Sequence, residues 1–354
     1  MVATGNSIQD SDFNDAAGRV AAVFGNGSGQ TGYGERVPSA ELLVGTNNII
    51  DADHYNALIS DINNASQHQS GSNAIGFTYS GVSNVGVADA DIVGADGSGT
   101  SLTRTTTGFT IDNEQTNEGF NDILTAVTSI ETGANNYAGE TFTASDPQAK
   151  DFVVSERVGQ WNTFIDCELD VIFDAQYTTT NSDGTTTTLD GTTNDHRRHF
   201  FNAGGEIYLS IEFTSPQTSK DVIWKELFDN MDYITFGKSQ TTKAGSGDVA
   251  NGSDISPAVG NYQLTTAYKQ IYIKYADPNS AYSANYIEIS AKRVGQNTIR
   301  FRIYCADDAT GNPLDDEFVL QFGGKIKAGI ALKRPNGYVT VPEPTPNEAD
   351  SFQT

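Results

Sequence analysis

DHRRHFFNAGGEIYLSIEFT, residues 195–214, carries the clearest structural signal in this chain of 354 residues. In its second half every other residue is large and apolar, and these residues are Ile207, Leu209, Ile211 and Phe213. A period of two is typical of a β-strand with one buried face. The adjacent Gly204 and Gly205 favour a tight turn with positive φ before the strand. We therefore expect a turn and then a core strand, with Phe200 and Phe201 anchoring the entry to the sheet.

The first half of this stretch holds the densest cationic cluster of the chain, His196-Arg197-Arg198-His199. Two histidines three residues apart can ligate a metal ion from one face of a helix. Here the pair is expected to precede a strand, and no third His or Cys lies nearby in the sequence. We interpret the cluster as a cationic surface or interface patch that contacts an acidic neighbour.

Composition limits the classes of partner. The formal net charge is −24 at pH 7, so neither nucleic acid nor an anionic membrane is expected as a partner. The N-terminal sequence lacks the pattern of a signal peptide, and no apolar run approaches the ~18 residues of a transmembrane helix. Cys167 and Cys305 fall at inward positions of expected strands, so we interpret them as buried free thiols, with a single disulfide as the alternative.

The sequence predicts an α+β fold, with a helix-bearing N-terminal region and an antiparallel, β-sandwich-like C-terminal domain. Helices are expected at about 12–24, 51–70, 117–130 and 146–158. The second helix has Tyr55 and Leu58 on its apolar stripe and Asp61 on its other face, and it ends near His68. The expected regions are a helical N-terminal attachment region (1–71), a Gly/Ser/Thr-rich insertion (72–116), a helical connector (117–160), an antiparallel β domain (161–334) and an extended C-terminal arm (335–354).

Strands joined mostly by short turns are expected in the β domain. Their approximate bounds are 165–173, 206–213, 233–236, 270–275, 285–292, 298–305, 317–322 and 325–333. A Thr-rich hairpin with an Asp183-Gly184 turn follows the first strand. A helix that carries Trp224 follows the second.

An acidic row is expected on the outer face of the first strand, formed by Asp166, Glu168, Asp170 and Asp174. Calcium prefers such oxygen ligands, but the sequence has no D-x-D-x-D-G loop, so a solvated face is the favoured interpretation. Arg300 and Arg302 project from one side of another strand. Pairing of these arginines with the row is a hypothesis that the sequence allows.

Catalytic motifs are not found in the sequence. The glycine-rich segment Gly25–Gly34 contains no lysine and no G-x-x-x-x-G-K-[ST] pattern, so we interpret it as a flexible connection rather than a phosphate cradle. The sequence has no G-x-S-x-G and no S-x-x-K with its partner motifs. With 45 acidic residues, any carboxylate pair suited to glycoside hydrolysis is uninformative. We expect a protein that is not an enzyme and that has no cofactor and no metal site.

Several tyrosines offer a possible sugar-binding face. They are Tyr208, Tyr272, Tyr275, Tyr282 and Tyr286. Packing in the core or at a subunit interface is the commoner role of such residues, and we favour it.

Two blocks of sequence resemble virion structural proteins of T4-like tailed phages of marine bacteria and cyanobacteria. The first comprises YGERVPSA (residues 33–40), IDADHYNAL (50–58) and HQSG (68–71), with Glu35 where that family usually has Gln. The second comprises RRHFFNAGGEI (197–207), IWKELFDNMDYITFG (223–237), YQLT (262–265) and YIEISAK (286–292). The resemblance covers about two thirds of the chain. It does not include 72–115 or the C-terminal tail.

The resemblance implies a noncatalytic virion component of the tail, baseplate, fibre attachment or neck. It implies partnership with itself, with a homotrimer favoured, and with other virion proteins. The alternatives are a receptor-binding or glycan-degrading tail module, which would contact a host-surface glycan, and a capsid decoration protein. The signature residues for fold or interface are Tyr55, Leu58, His68, Arg197, Arg198, Phe200, Phe201, Gly204, Gly205 and Trp224.

Overall fold

The computed structural model describes residues 10–45, 50, 52–80, 103–106, 118–138, 154–158, 164–174, 176–180, 186–190, 196–214, 219–243, 255–280, 282–307, 325–333 and 338–353. The helices are α1 (Asp10–Val23), α2 (Pro38–Glu41), α3 (Ala52–Ser70), α4 (Glu118–Thr132), α5 (His196–Asn202) and α6 (Ser219–Met231). The first seven strands are β1 (Phe77–Ser80), β2 (Thr103–Thr106), β3 (Val154–Val158), β4 (Phe164–Ile172), β5 (Gln176–Thr180), β6 (Thr186–Asp190) and β7 (Glu206–Thr214). The other seven are β8 (Tyr233–Phe236), β9 (Thr241–Lys243), β10 (Lys269–Tyr275), β11 (Tyr286–Val294), β12 (Thr298–Ala306), β13 (Lys325–Lys333) and β14 (Thr345–Gln353).

The fold class is α+β, as the sequence predicts. The chain divides into two compact units, and both are discontinuous in sequence. The first unit comprises 1–140, 176–194 and 335–341, and the second comprises 141–175, 195–334 and 342–354. This division differs from the five consecutive regions expected, because the expected connector, the expected β domain and the expected arm each contribute to both units.

The first unit is built on the apolar stripes of α1, α3 and α4. The ring of Tyr55 on α3 lies 5.7 Å from that of Phe13 on α1 and 6.1 Å from that of Phe120 on α4, both edge to face. The buried stripe of α3 also contains Leu58, Ile59, Ile62 and Ala65. These three helices occupy the positions that their apolar periodicity predicts.

The second unit contains two five-stranded antiparallel sheets. We call the sheet in the order β10-β11-β12-β4-β14 the front sheet, and the sheet in the order β3-β13-β7-β8-β9 the back sheet. Apolar residues alternate along the strands, and on β4 Ile165 and Leu169 are fully buried. Phe301 of the front sheet contacts Phe236 of the back sheet, with ring centroids 5.2 Å apart. Cys167 and Cys305 are free and buried, which confirms the interpretation as thiols.

Two segments differ from the sequence prediction. Residues 154–158, expected at the end of a helix, form β3, because β13 offers this segment an antiparallel backbone partner. Residues 345–353, expected in an extended arm, form β14 and pair with β4 of the same chain. Without β14, one side of β4 would expose unpaired backbone groups at a sheet edge. The expected helix start at 146 and the expected strand at 317–322 lie outside the described residues.

Candidate functional site

The HRRHFFN segment forms the helix α5 rather than the lead-in to a strand, which corrects the first expectation for it. The helix ends in the turn that the glycines favour. Gly204 has a φ of 87°, its N–H donates to the carbonyl of Phe201, and the N–H of Gly205 donates to that of Phe200 at 2.9 Å. These are the bonds of a Schellman motif, in which a left-handed glycine ends a helix. The glycine pair therefore determines where α5 stops and β7 begins.

The cationic cluster is not a surface patch. His196, Arg197 and His199 are 2%, 2% and 0% exposed. The guanidinium of Arg197 donates to Asn261 Oδ1 at 3.0 Å, and Arg198 lies 5.5 Å from the centroid of the Tyr262 ring. Buried cations are expensive unless they are hydrogen-bonded, so these residues join α5 to neighbouring segments of its own unit.

His196 links two further segments of the second unit to α5. Its Nε2 lies 2.9 Å from the carbonyl oxygen of Pro342, and its Nδ1 lies 3.3 Å from that of Asp174. Both groups are acceptors, and a neutral imidazole can donate to one of them at a time. The two histidines considered above for a metal site are therefore buried in the second unit: His196 lies beside two backbone carbonyls, and His199 is 0% exposed. Among the described residues, no group of three or more His, Cys, Asp or Glu side chains is placed to hold a metal ion.

The two phenylalanines of α5 lie in an aromatic core. Phe200 and Phe201 are at most 1% exposed, and their ring centroids lie 5.6 Å and 6.1 Å from that of Phe173. Phe201 also contacts Phe236 of the back sheet at 5.9 Å. Trp224 of α6 is fully buried. The two phenylalanine rings of α5 thus pack against Phe173, which follows β4, and Phe201 also packs against Phe236 on β8. The helix α5 is therefore part of the core of the second unit.

A polar cluster in the first unit joins the two ends of the first motif block. The Gln69 amide donates to the Tyr33 hydroxyl at 2.9 Å and to the carbonyl of Ile130 at 3.0 Å. The Tyr33 hydroxyl donates to the carbonyl of Ala134, and burial raises the pKa of Tyr33 to about 12. The buried ring of His68 lies 4.8 Å from that of Tyr33. The YG motif, which begins at Tyr33, and the HQ motif, His68-Gln69, therefore contact each other in one buried polar cluster.

The glycine-rich segment before Tyr33 is held by backbone hydrogen bonds and is not a flexible connection. The N–H groups of Tyr33 and Gly34 donate to the carbonyls of Val23 and Gly25 at 2.9 Å each. A Cβ on Gly32 would lie 2.0 Å from the carbonyl oxygen of Gly25. The glycines allow these two backbone segments to approach closely, which the count of glycines alone does not reveal.

Two buried carboxyl groups in the first unit have raised pKa values. Burial raises the pKa of Glu35 to about 7, although the backbone N–H and the hydroxyl of Thr340 donate to its two oxygens at 2.6 Å and 2.7 Å. Burial also raises the pKa of Asp61 to about 6, and its Oδ2 accepts from the N–H of Ser39 at 2.9 Å. Shifted carboxyl groups are one mark of an active site, and Glu35 lines a cavity of about 510 Å³. In both cases, however, the carboxyl oxygens bond to another segment of the same unit.

The sequence analysis did not predict that either of these carboxyl groups is buried. Asp61, expected on the solvated face of α3, is 2% exposed. It lies three residues after Leu58 and four before Ala65, which is the spacing of the buried stripe, so its position held the signal. The chemistry of its side chain concealed this position, since Asp is rarely buried.

The acidic row pairs with arginines on the outer face of the front sheet, as the sequence suggests. Arg300 forms a bidentate pair with Asp170 at 2.7 Å and 2.8 Å and also donates to Glu168 at 3.0 Å. Arg302 donates to Asp166 at 2.9 Å and 2.7 Å. Register places each arginine of β12 beside a carboxylate of β4. Three of the four carboxylates of the row are therefore paired with arginines within the sheet, which favours an ionic ladder over a calcium site.

The tyrosines suggested for a sugar-binding face do not share one environment. Tyr208 and Tyr272 are 6% and 0% exposed, so they are core residues and not part of a surface. Tyr275 is 43% exposed, and Tyr282 and Tyr286 are half-buried. Only the last three can belong to a binding surface.

No described helix is long and apolar enough to span a membrane. The signature residues of the sequence fall in both units: Tyr55, Leu58 and His68 lie on α3 of the first unit, and the others lie on α5, in the turn that ends it, and on α6 of the second unit. The polar ones among them bond or pack within their own unit. Comparisons of the chain with family models, with curated proteins and with solved structures each gave no match, so the resemblance to phage virion proteins stays a prediction.

Proposed function

We propose that this chain is a noncatalytic structural component of a tailed-phage virion that assembles as a homo-oligomer in the tail, baseplate, fibre attachment or neck. The observation that supports the proposal is that the polar motif residues hydrogen-bond to other segments of their own unit. Gln69 bonds Tyr33 and the end of α4, and Arg197 bonds Asn261. Side chains of this chemistry would be available to substrate in an enzyme, whereas here they join segments of the fold.

The surface is consistent with a particle component. A net charge of −24 favours solubility and keeps unassembled copies apart, and screening by salt weakens that repulsion during assembly. Virion parts are repeated by symmetry, so a closed homo-oligomer, with a trimer favoured, follows from the proposal.

The oligomeric state of the purified chain tests the proposal first. We expect light scattering to give a defined homo-oligomer at physiological salt, and an averaged map of the intact particle to place the chain at a fixed copy number in the tail or neck. A capsid location would favour a decoration protein instead. A chain that is absent from the particle would contradict the virion role.

Incubation with host-surface polysaccharide tests the noncatalytic part of the proposal. We expect the chain length of the polysaccharide to remain unchanged after prolonged incubation, as followed by size-exclusion chromatography. Release of oligosaccharides would contradict the proposal and favour a glycan-degrading tail module.

A further inference from the structure

A row of four aromatic rings crosses the outer face of the front sheet at one end of its strands. We call it the aromatic row, and its members are Tyr275 on β10, Tyr286 on β11, Tyr304 on β12 and Phe164 on β4. Neighbouring ring centroids lie 5.2 Å, 6.1 Å and 5.7 Å apart in that order. Tyr275 is 43% exposed, and the other three rings are half-buried.

The sheet register explains why the rings share one face. Tyr275 is the direct cross-strand partner of Tyr286. Ile287 and Cys305, which follow Tyr286 and Tyr304 in the sequence, are buried on the opposite face. Side chains alternate between faces along a strand, so the rings stand on the outer face with the ionic ladder beside them. Arg302 of that ladder lies 5.0 Å from the centroid of the Tyr304 ring.

A cavity of about 260 Å³ lies at the Tyr275 end of the aromatic row. Two carboxylates, two amides and one ammonium group contribute to its lining, from Glu226 and Asn230 on α6, from Lys274 on β10, and from Asp277 and Asn279 after β10. Tyr275 also contributes to this lining, so the cavity adjoins the aromatic row. A hydroxyl-rich molecule that packs on Tyr275 therefore lies next to the polar residues of the cavity.

We propose that the aromatic row and this cavity form a binding site for a neutral polysaccharide. The C–H faces of sugar rings pack on aromatic rings, and carboxylate and amide groups hydrogen-bond the sugar hydroxyls. The charge of the chain selects among glycans. The net charge of −24 repels a polyanionic glycan, and in the cavity lining two carboxylates outnumber the single ammonium of Lys274, whereas an uncharged glycan is not repelled.

A protein partner is a less suitable occupant of this surface. The most exposed ring of the row adjoins a cavity whose lining includes two carboxylates, and charged groups are depleted at the centres of protein interfaces. Carboxylates suit a polyhydroxylated ligand, because each can accept two hydroxyl hydrogen bonds. The inference does not depend on the virion role, since the site would bind such a ligand in any setting.

Affinity electrophoresis of the full chain in gels that contain dextran, mannan or hydroxyethyl cellulose tests the inference. We expect at least one of these neutral polysaccharides to retard the chain. Tyr275→Ala and Glu226→Ala should each weaken the retardation by about 3- to 10-fold. Tyr275→Phe, which keeps the ring, should retain it.

Tyr338→Ala is the matched control, because Tyr338 is 47% exposed and belongs to the other unit. We expect retardation of this variant to equal that of the wild type, with melting temperatures unchanged for all the variants. Absence of retardation in all three gels would overturn the inference, as would equal retardation of Tyr275→Ala and wild type. A change of oligomeric state in Tyr275→Ala without a change in retardation would also overturn it, in favour of a protein interface.

Discussion

Replacing Gly205 by Ala tests the packing at the junction of α5 and β7. A Cβ at this position would lie 2.4 Å, 2.5 Å and 2.6 Å from three ring carbons of Phe200. Carbon atoms in normal contact are ~3.5–4.0 Å apart, so the ring would have to move by about 1 Å. Phe200 is fully buried against Phe173 and Phe201, and movement would disturb both. Overpacking a core costs ~1–3 kcal/mol, and three close contacts place this substitution at about 3 kcal/mol.

Urea unfolding followed by circular dichroism measures this loss of unfolding free energy. The two units can unfold in separate transitions, so the relevant one is the transition that Phe200→Leu also shifts. Gly237→Ala is the matched control in the same unit, since its Cβ would meet its nearest atom at 3.4 Å. We expect this control to change the free energy by less than about 0.5 kcal/mol.

The double variant Gly205→Ala/Phe200→Leu separates the ring clash from other effects of the substitution. Leu at position 200 leaves space where the ring carbons were. The two substitutions should therefore destabilise by about 1–2 kcal/mol less together than the sum of their separate effects. Strict additivity, or a Gly205→Ala variant as stable as the wild type, would refute the reasoning.

Three further substitutions test other parts of the structure. Arg300→Met removes the guanidinium that bonds two carboxylates of β4 and should lower the free energy of unfolding, measured by thermal unfolding, by about 2 kcal/mol. Lys225→Met, at an exposed ion pair, is the control and should lower it by less than about 0.5 kcal/mol. Equal effects would contradict a stabilising role of the ladder. Burial raises the pKa of Glu35 to about 7, so the contribution of Glu35 to stability is full below pH 4 and is lost as pH rises through 7. Glu35→Gln should therefore stabilise the chain at pH 8 and make its melting temperature less dependent on pH between 5 and 8. A melting profile equal to that of the wild type would contradict this. Phe201→Ala should cost ~3–5 kcal/mol and abolish folding or oligomer assembly, and a soluble, assembled variant with normal melting would show that the ring is not a core anchor.

Periodicity in the sequence predicted the apolar core well, because burial of one face imposes it directly. The alternation in β4 and β7 and the helical stripe of α3 each follow from the separation of apolar and polar faces. The charged residues that pair across the front sheet were also predictable, although Arg300 and Asp170 lie 130 residues apart in the sequence. Arg300 and the carboxylates of β4 lie on strands whose outer faces can be read from the sequence, and only their adjacency required the structure.

Positions determined by long-range contacts were not predictable in the same way. Val154–Val158 forms a strand because β13 pairs with it, and β14 forms because β4 has an open side. Both partners are distant in sequence, and nothing local indicates them. The burial of His196 and Arg197 also depends on distant partners. His196 contacts the carbonyl of Pro342, 146 residues further along the chain, and Arg197 donates to Asn261, 64 residues further along.

The polar motif residues also explain how a chain with 37% hydrophobic residues builds two compact units. A core short of apolar volume must include polar side chains, and each is tolerated when its hydrogen bonds are made. Tyr33 with Gln69, and Glu35 with Thr340, are such pairs. The Glu35 carboxyl group, with a pKa of about 7, is half protonated at neutral pH, and its protonated form both donates and accepts hydrogen bonds as an amide does. Substitutions at these positions should therefore be tolerated when they preserve the bonding pattern of the pair, whereas a change of only one partner leaves a buried polar group unsatisfied.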